Sequence, residues 1–223
     1  MKNSKMRIYI LLLLPFVLLL QSCGGDDCIE GDGTSNDYTL DVGSFDKISV
    51  SGDVDVQITQ GSMQSAIIRV EPEIFAVMEN KVNSQELQIG FKNNVCVNPA
   101  VQIVLMVTTP EISRIEVSGK GDISTVGTFV FEELTIDVSG ESQIRLEGSA
   151  EVQNFDISGM VEANNFDLQS LDTKIDLSGA GEFELNCTDN LDLKVSGSAT
   201  IKYIGQPSIS QDVSGSVQLI DAN

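Results

Sequence analysis

The chain has 223 residues, with 33 acidic and 13 basic side chains, no His and no Trp, and a formal charge of −20. This acidic balance argues against nucleic acid as a partner, because phosphate neutralisation needs clustered Lys and Arg. A hydrophobic fraction of 41% with regular alternation predicts a folded core rather than disorder. The absence of His and of CxxC pairs leaves a zinc site without support.

The first 22 residues have the features of a bacterial lipoprotein signal peptide. Lys2, Lys5 and Arg7 precede a 13-residue apolar run at 8–20, which is too short for a comfortable membrane span. The run ends in LQSC, which resembles a lipobox, although Gln departs from the usual small residue. The resemblance implies that Cys23 is acylated and anchors the mature chain to a bacterial outer membrane. An uncleaved anchor and an ordinary signal peptide are the alternatives.

Residues 23–39 are rich in Gly, Asp, Ser and Asn and are predicted to form a tether. The sequence GGDD at 24–27 resembles the acidic tethers that send lipoproteins to the cell surface in Bacteroidetes-like bacteria. A plain solvated linker is the alternative, and both can hold at once. The surface is therefore the expected location of the domain that follows, predicted for residues 40–223.

The mature chain contains three cysteines besides Cys23. The compartment implied by the signal peptide is oxidising, so a disulfide is permitted. Cys28 and Cys96 lie in polar, irregular stretches and are the expected pair, tying the tether to the domain, although spacing does not fix connectivity. Cys187 is in phase with Phe183 and Leu185, which predicts a buried thiol.

The first part of the domain alternates apolar and polar residues, which predicts half-buried strands. Two strands, 45–52 and 54–61, meet at Ser51-Gly52. One segment, 72–81, has the three-to-four spacing of a helix. Further strands are predicted at 66–70, 87–91 and 101–107.

Ser-Gly then recurs every 18 to 21 residues. The copies are Ser118-Gly119, Ser139-Gly140, Ser158-Gly159, Ser178-Gly179, Ser196-Gly197 and Ser214-Gly215. A unit that recurs at this period indicates a solenoid, in which each coil buries its apolar face against its neighbours.

Three columns of apolar residues appear when the coils are aligned on Ser-Gly. Of the 18 positions, 17 are apolar, the exception being Gln211. The columns are Ile115, Ile136, Phe155, Ile175, Leu193 and Gln211; Val117, Val138, Ile157, Leu177, Val195 and Val213; and Ile123, Ile144, Ala163, Phe183, Ile201 and Leu219. They predict inward ladders of a parallel β-solenoid of about six Ser-Gly coils. An antiparallel sandwich also alternates but gives no reason for one dipeptide to recur in register.

The dipeptide itself is interpreted as a structural corner. Gly allows a turn at φ > 0, and Ser is expected to bond local backbone groups. A nucleophilic Ser has no support, since there is no His to activate it and no G-x-S-x-G elbow.

A family resemblance rests on the segment FDKISVSGDVDVQITQG at 45–61, on LQI at 87–89 and on the run from Val104 to Ile123. These residues resemble the auto-transporter adhesin head domain family (GIN domain), whose members are typically Bacteroidetes lipoproteins or secreted proteins. The resemblance covers roughly residues 40–220. It implies an all-β, right-handed parallel β-helix (β-solenoid) with an adhesin-like role and carries over no catalytic residue.

An acidic stripe precedes the corners by two residues. It contains Glu116, Asp137, Asp156 and Asp176 and continues into Lys194 and Asp212. A solvated face is the first interpretation. The alternatives are that the stripe binds calcium, the one candidate cofactor, or that its charge attracts a basic partner.

The sequence therefore predicts a non-enzymatic surface lipoprotein that presents a repetitive face to an extracellular protein or glycan. The alternative is a carbohydrate-active lyase or hydrolase on the same scaffold. A groove with two carboxylates and a nearby Lys or Arg would favour this alternative. The last coil has no obvious amphipathic cap after it, and Gln211, the one polar residue in its column, is interpreted as the mark of a partial cap. The end of this coil is therefore expected either to be covered by a terminal segment or to be used in self-association.

Overall fold

The computed structural model describes residues 28–223. The predicted signal peptide 1–22, the lipid-attachment residue Cys23 and residues 24–27 lie outside the described residues. Within 28–223, no helix is long and apolar enough to cross a membrane.

The N-terminal part combines strands of both orientations with one helical turn. Its elements are β1 (Ile29–Glu30), β2 (Asn36–Leu40), β3 (Lys47–Gln60), β4 (Ser65–Val70), α1 (Pro72–Phe75), β5 (Met78–Asn83), β6 (Glu86–Phe91), β7 (Val97–Asn98) and β8 (Ile103–Thr109). The C-terminal part contains strands only. They are β9 (Arg114–Lys120), β10 (Ile123–Thr125), β11 (Phe129–Val138), β12 (Glu141–Arg145), β13 (Gly148–Ile157), β14 (Met160–Leu177), β15 (Ala180–Val195), β16 (Ser198–Ile204), β17 (Ser208–Val213) and β18 (Ser216–Asp221).

The C-terminal part is a parallel β-solenoid of about five turns, which confirms the predicted fold class. Ile115 pairs with Ile136, and the same column continues through Phe155 and Ile175 to Leu193. The other two columns are likewise in register. Fifteen of the eighteen predicted positions are buried at 3% exposure or less, and the three remaining ones all belong to the last coil.

The Ser-Gly corners require glycine for a different reason from the predicted one. Only Gly52 (φ 100°) and Gly119 (φ 155°) among the Ser-Gly glycines have a left-handed φ. At Gly159 a Cβ would lie 1.9 Å from the carbonyl oxygen of Gly140, one coil earlier, and at Gly179 it would lie 1.8 Å from that of Gly159. Successive glycines therefore stack with their backbones in direct contact, and it is this close approach that excludes a side chain.

Inter-coil hydrogen bonds run through each corner without a break. The amide of Ser158 donates to the Val138 carbonyl at 2.9 Å, and the amide of Met160 donates to the Gly140 carbonyl at 2.8 Å. Where the serine hydroxyls bond, as at Ser178, they reach a carbonyl of the previous coil rather than their own turn. Ser118 and Ser178 thus add a side-chain contact between coils, and the local bonding expected from the sequence is corrected there.

The isolated copy Ser51-Gly52 belongs to the same ladder. It pairs with Ser118-Gly119 across β3 and β9, although 67 residues separate the two copies along the chain. The intervening residues form an insertion: β8 pairs in parallel with β3, while β4 pairs antiparallel with both β8 and β2. These antiparallel strands cover the N-terminal end of the solenoid.

Two predictions for the N-terminal part need correction. The segment 72–81 is not one helix: α1 spans Pro72–Phe75, and β5 pairs antiparallel with β6 from Met78 onward. Its apolar residues satisfy helical spacing, but Met78 and Val82 point toward the core from a strand, where pairing with β6 supplies the backbone hydrogen bonds. Residues 28–39, assigned to the tether, contain β1 and β2 and are part of the fold.

A disulfide joins Cys28 and Cys96, the pairing expected from the sequence, with Cα atoms 4.5 Å apart. Next to it, the amide of Ile29 donates to the Cys96 carbonyl at 2.9 Å, and the amide of Gly31 donates to the Asn98 carbonyl at 3.0 Å. The third cysteine, Cys187, is a buried thiol. The chain is thus held to the domain from its first described residue.

Candidate binding face

The acidic stripe lies on the outward side of the sheet formed by β9, β11, β13 and the C-terminal halves of β14 and β15. Glu116 pairs with Asp137, Asp137 with Asp156, and Asp156 with Asp176. The column continues to Lys194 and Asp212. All four predicted carboxylates therefore stand in one row, about 4.8 Å apart from strand to strand.

A second outward row runs beside the stripe, two residues earlier on each strand. Its members are Arg114, Thr135, Asn154, Lys174, Asp192 and Ser210. Arg114 and Lys174 of this row were not among the site residues predicted from the sequence. The two rows together form a polar face of mixed charge, which we call the ladder face.

Two ion pairs neutralise part of the stripe. The Arg114 guanidinium lies 2.9 Å from the Asp137 carboxylate, and the Lys194 ammonium lies 2.5 Å from that of Asp176. The Lys194–Asp176 pair is solvent-exposed, so water and salt screen it and it adds little to stability. Asp156, between the two pairs, forms no ion pair within the described residues and keeps its charge available to a partner.

Asp137 is a largely enclosed carboxylate of the stripe, its side chain being 16% exposed. Burial raises the pKa of Asp137 above its ordinary value of 3.8; the Arg114 guanidinium partly offsets this rise, and the carboxylates of Asp156 and Glu116 add to it. The stripe therefore contains one carboxyl group that takes up a proton more readily than an exposed aspartate.

An open depression of about 620 Å³ lies on the ladder face. Asp156, Asp176, Lys174 and Lys194 are among its lining residues, so carboxylates and lysines meet in one groove. The one aromatic residue in the lining is Phe155, which is 1% exposed and offers no stacking surface. The groove is thus suited to hydrogen bonding and ion pairing.

A second depression, of about 450 Å³, lies on the adjacent sheet. Three glutamates from neighbouring coils, Glu141, Glu162 and Glu182, line it without a Lys or Arg. A groove that joins carboxylates with a cation therefore exists on the ladder face but not in this depression.

A third acidic group was not predicted. Carboxylate oxygens of Asp32, Glu71 and Glu73 lie within 4.8 Å of one another, a spacing that can hold a metal ion. However, the buried Glu71 carboxylate already accepts hydrogen bonds from the amides of Gly33 at 2.6 Å and Ala100 at 3.1 Å. The group fastens the N-terminal segment to the domain, and no sequence signal could have found it, because Asp32 and Glu71 come from distant parts of the chain.

The fold and the ladder face define the class of protein. It is a parallel β-solenoid domain that displays in-register rows of polar side chains, closed by antiparallel strands at one end. The chain belongs to the family described as "Putative auto-transporter adhesin, head GIN domain", whose model matches residues 44–207. This confirms the resemblance stated from the sequence.

Solved structures support the fold. A protein described as a "putative adhesin" from Bacteroides fragilis is 21% identical with a TM-score of 0.67, over 86% of this chain and 100% of that one. A "putative adhesin" from Parabacteroides distasonis is 19% identical with a TM-score of 0.52, over 87% and 100% of the two chains. A "putative lipid binding protein" from the same species is 19% identical with a TM-score of 0.50, over 86% and 99%. No curated protein matches the chain.

Proposed function

We propose that this protein is a lipid-anchored adhesin-type module that binds an extracellular protein or glycan through the ladder face. The observation that carries the proposal is the ladder face itself, where two in-register rows place alternating carboxylate, amide, hydroxyl and ammonium groups around one open groove. A surface of this kind suits a repetitive polar ligand, because successive coils present polar side chains at a regular spacing of about 4.8 Å. Family membership supports an adhesin-type role at the cell surface.

Binding is tested on a glycan array and on immobilised extracellular-matrix proteins, with the purified mature chain as the probe. Charge reversal at Lys174, in the groove, should reduce binding at least tenfold, whereas Glu151→Lys, on an exposed site outside the groove, should not. Repeating the assay with a chelator separates direct recognition from calcium-mediated recognition by the acidic stripe. Binding that Lys174→Glu leaves intact would place the ligand elsewhere and contradict the proposal.

The anchor is tested separately. Cells that produce the full chain are labelled with an alkyne-modified palmitate, fractionated and treated with protease while intact. Cys23 is the proposed attachment site, so Cys23→Ser should lose the label and leave the membrane fraction. Loss of the surface-exposed pool on protease treatment supports outward orientation, and a protected pool contradicts it.

A carbohydrate-active enzyme is the second candidate, and one observation favours it. The groove joins Asp156 and Asp176 to Lys174 and Lys194, the combination of carboxylates and cations that such enzymes use. Against it, the Lys194 ammonium is already paired with Asp176 at 2.5 Å. Release of oligosaccharides from acidic polysaccharides by the purified protein, abolished by Asp156→Asn, would establish this candidate over simple binding.

A further inference from the structure

The groove of the ladder face contains charged groups of both signs that have no ion-pair partner within residues 28–223. Lys174 of β14 and Asp156 of β13 are both exposed, and neither belongs to an ion pair of the described chain. Asn154 pairs with Lys174 and Asp156 pairs with Asp176, so Lys174 lies diagonally beside Asp156, one strand and two residues away. The two Cα atoms are therefore about 8 Å apart. A ligand in the groove meets a positive and a negative charge side by side.

The second lysine of the groove, Lys194, is already neutralised. Its ammonium donates a hydrogen bond to the Asp176 carboxylate at 2.5 Å. This hydrogen bond raises the pKa of Lys194, and the charges of Asp176, Asp212 and Asp156 raise it further. Lys174 is therefore the lysine of the groove that remains for an anionic group of a ligand, and Asp156 remains for a cationic one.

The charges around the groove restrict the chemistry of its ligand. Four aspartates and two lysines line the groove, and the whole chain has a formal charge of −20. This field repels a polyanion, whereas a polycation places its own charge against Lys174. A ligand that carries both an amine and a carboxylate avoids both costs, because each of its charges faces an opposite one.

The position of the groove on a sheet face favours a carbohydrate over a peptide. A peptide that binds by strand addition needs free N–H and C=O groups at a sheet edge. The groove lies on the face of β13, β14 and β15, where these groups pair with neighbouring coils. Side chains must therefore hold the ligand, and they include the hydroxyls of Thr135 and Ser210 and the amide of Asn154. Such groups both donate and accept hydrogen bonds, which suits the many hydroxyls of a sugar chain.

We infer that the ladder face binds a polysaccharide that carries protonated amines and carboxylates on neighbouring sugars. The inference rests on the proposed function, because it concerns the same groove. An amine of the ligand pairs with Asp156, and a carboxylate pairs with Lys174. The groove extends over five strands, from Thr135 of β11 to Asp212 of β17, which is about 19 Å at about 4.8 Å per strand. This length suits a polymer rather than a single sugar.

Isothermal titration calorimetry tests the inference with the mature chain carrying Cys23→Ser, so that no lipid is attached. The probe is O-carboxymethyl chitosan, whose sugars carry amines and carboxylates, at about pH 6 so that both groups are charged. Two matched probes each lack one charge: the N-acetylated form of this polymer has no amine, and chitosan oligosaccharide has no carboxylate. The protein should bind O-carboxymethyl chitosan at least tenfold more tightly than either of them.

Two substitutions separate the two contacts. Asp156→Asn should weaken the binding of O-carboxymethyl chitosan at least tenfold and leave the binding of its N-acetylated form unchanged, because Asp156 contacts the amine. Lys174→Gln should weaken the binding of O-carboxymethyl chitosan similarly and leave that of chitosan oligosaccharide undiminished. Glu151→Gln is the matched control, since it removes an exposed carboxylate outside the groove and should change neither affinity.

The outcomes distinguish this inference from the proposed function. Equal affinity for O-carboxymethyl chitosan and its N-acetylated form, lost in Lys174→Gln, overturns the inference but keeps the ladder face as a binding site. Tighter binding of a peptide of alternating Lys and Glu, also lost in Lys174→Gln, replaces the polysaccharide by a protein partner. Binding that neither substitution weakens contradicts both. Failure to bind any probe overturns the inference alone, because the arrays described above test the proposed function with other ligands.

Discussion

Replacing Gly159 by alanine tests whether the glycine ladder holds the coils together. The added Cβ would lie 1.9 Å from the Gly140 carbonyl oxygen, whereas ordinary contact begins at 3.4 Å. The two coils must therefore separate locally by about 1.5 Å, from a normal spacing of about 4.8 Å. The atom in the way belongs to the backbone, so no side-chain rotation relieves the clash.

The expected cost has two parts. Overpacking a well-packed site costs about 1–3 kcal/mol. A 1.5 Å separation also breaks the bonds from Ser158 to Val138 and from Met160 to Gly140, now 2.9 and 2.8 Å long, at about 1 kcal/mol each. We therefore expect Gly159→Ala to lower the free energy of unfolding by about 3–5 kcal/mol.

Urea denaturation followed by far-UV circular dichroism measures this loss, and hydrogen exchange at the Met160 amide locates it. Gly43 is the matched control, because it is exposed and a Cβ there meets nothing within 4 Å. Gly43→Ala should be neutral or slightly stabilising, since alanine restricts the unfolded chain. If Gly159→Ala stays within about 0.5 kcal/mol of Gly43→Ala, the packing explanation for the recurring glycine is wrong.

Three other predictions concern stability. Replacing Cys28 and Cys96 by serine opens a loop with a sequence separation of 68 and should cost about 4 kcal/mol, and dithiothreitol should then have no further effect on the urea midpoint. Phe183→Ala should cost about 3–5 kcal/mol in the same assay, because Phe183 is 1% exposed and packs edge-to-face on Phe155 at 5.3 Å; a cost below about 1 kcal/mol would mean that the coil interior collapses to fill the gap. Burial raises the pKa of Asp55 above 3.8, so on acidification the folded state binds this proton before the unfolded state does. The Asp55 carboxylate therefore lowers the free energy of unfolding increasingly as the pH rises. In thermal melts, the melting temperature of Asp55→Asn should therefore exceed that of the wild type by more at pH 7 than at about pH 4.5. A difference in melting temperature that grows on acidification would contradict this expectation.

The repeat made much of the fold predictable. Each coil has the same length and the same three inward positions, so alignment on Ser-Gly was enough to place Ile115 beside Ile136 and Glu116 beside Asp137. The acidic stripe followed from the same register. Periodicity carries this information because every coil buries its side chains against an equivalent neighbour.

The parts that lie outside the repeat were not predictable in this way. The partnership of Gly52 with Gly119 spans an insertion of irregular strands, so no fixed period connects them. The buried polar side chains of Asn165 and Ser170 lie where the register between β14 and β15 shifts, so the repeat does not place them. Antiparallel pairing of β5 depends on β6, a tertiary contact that overrides the helical spacing of 72–81.

The position of the disulfide has a mechanical consequence. A pull on the chain from its N-terminal side reaches Cys28 and passes through the covalent bond to Cys96, bypassing every residue between them. The loop between the two cysteines, with a sequence separation of 68, therefore bears no tension. Stretched out, this loop would add about 230 Å to the length of the chain, at roughly 3.4 Å per residue. Under tension the connection at Cys28 would therefore be short and stiff while the disulfide is oxidised, and longer and more extensible after its reduction.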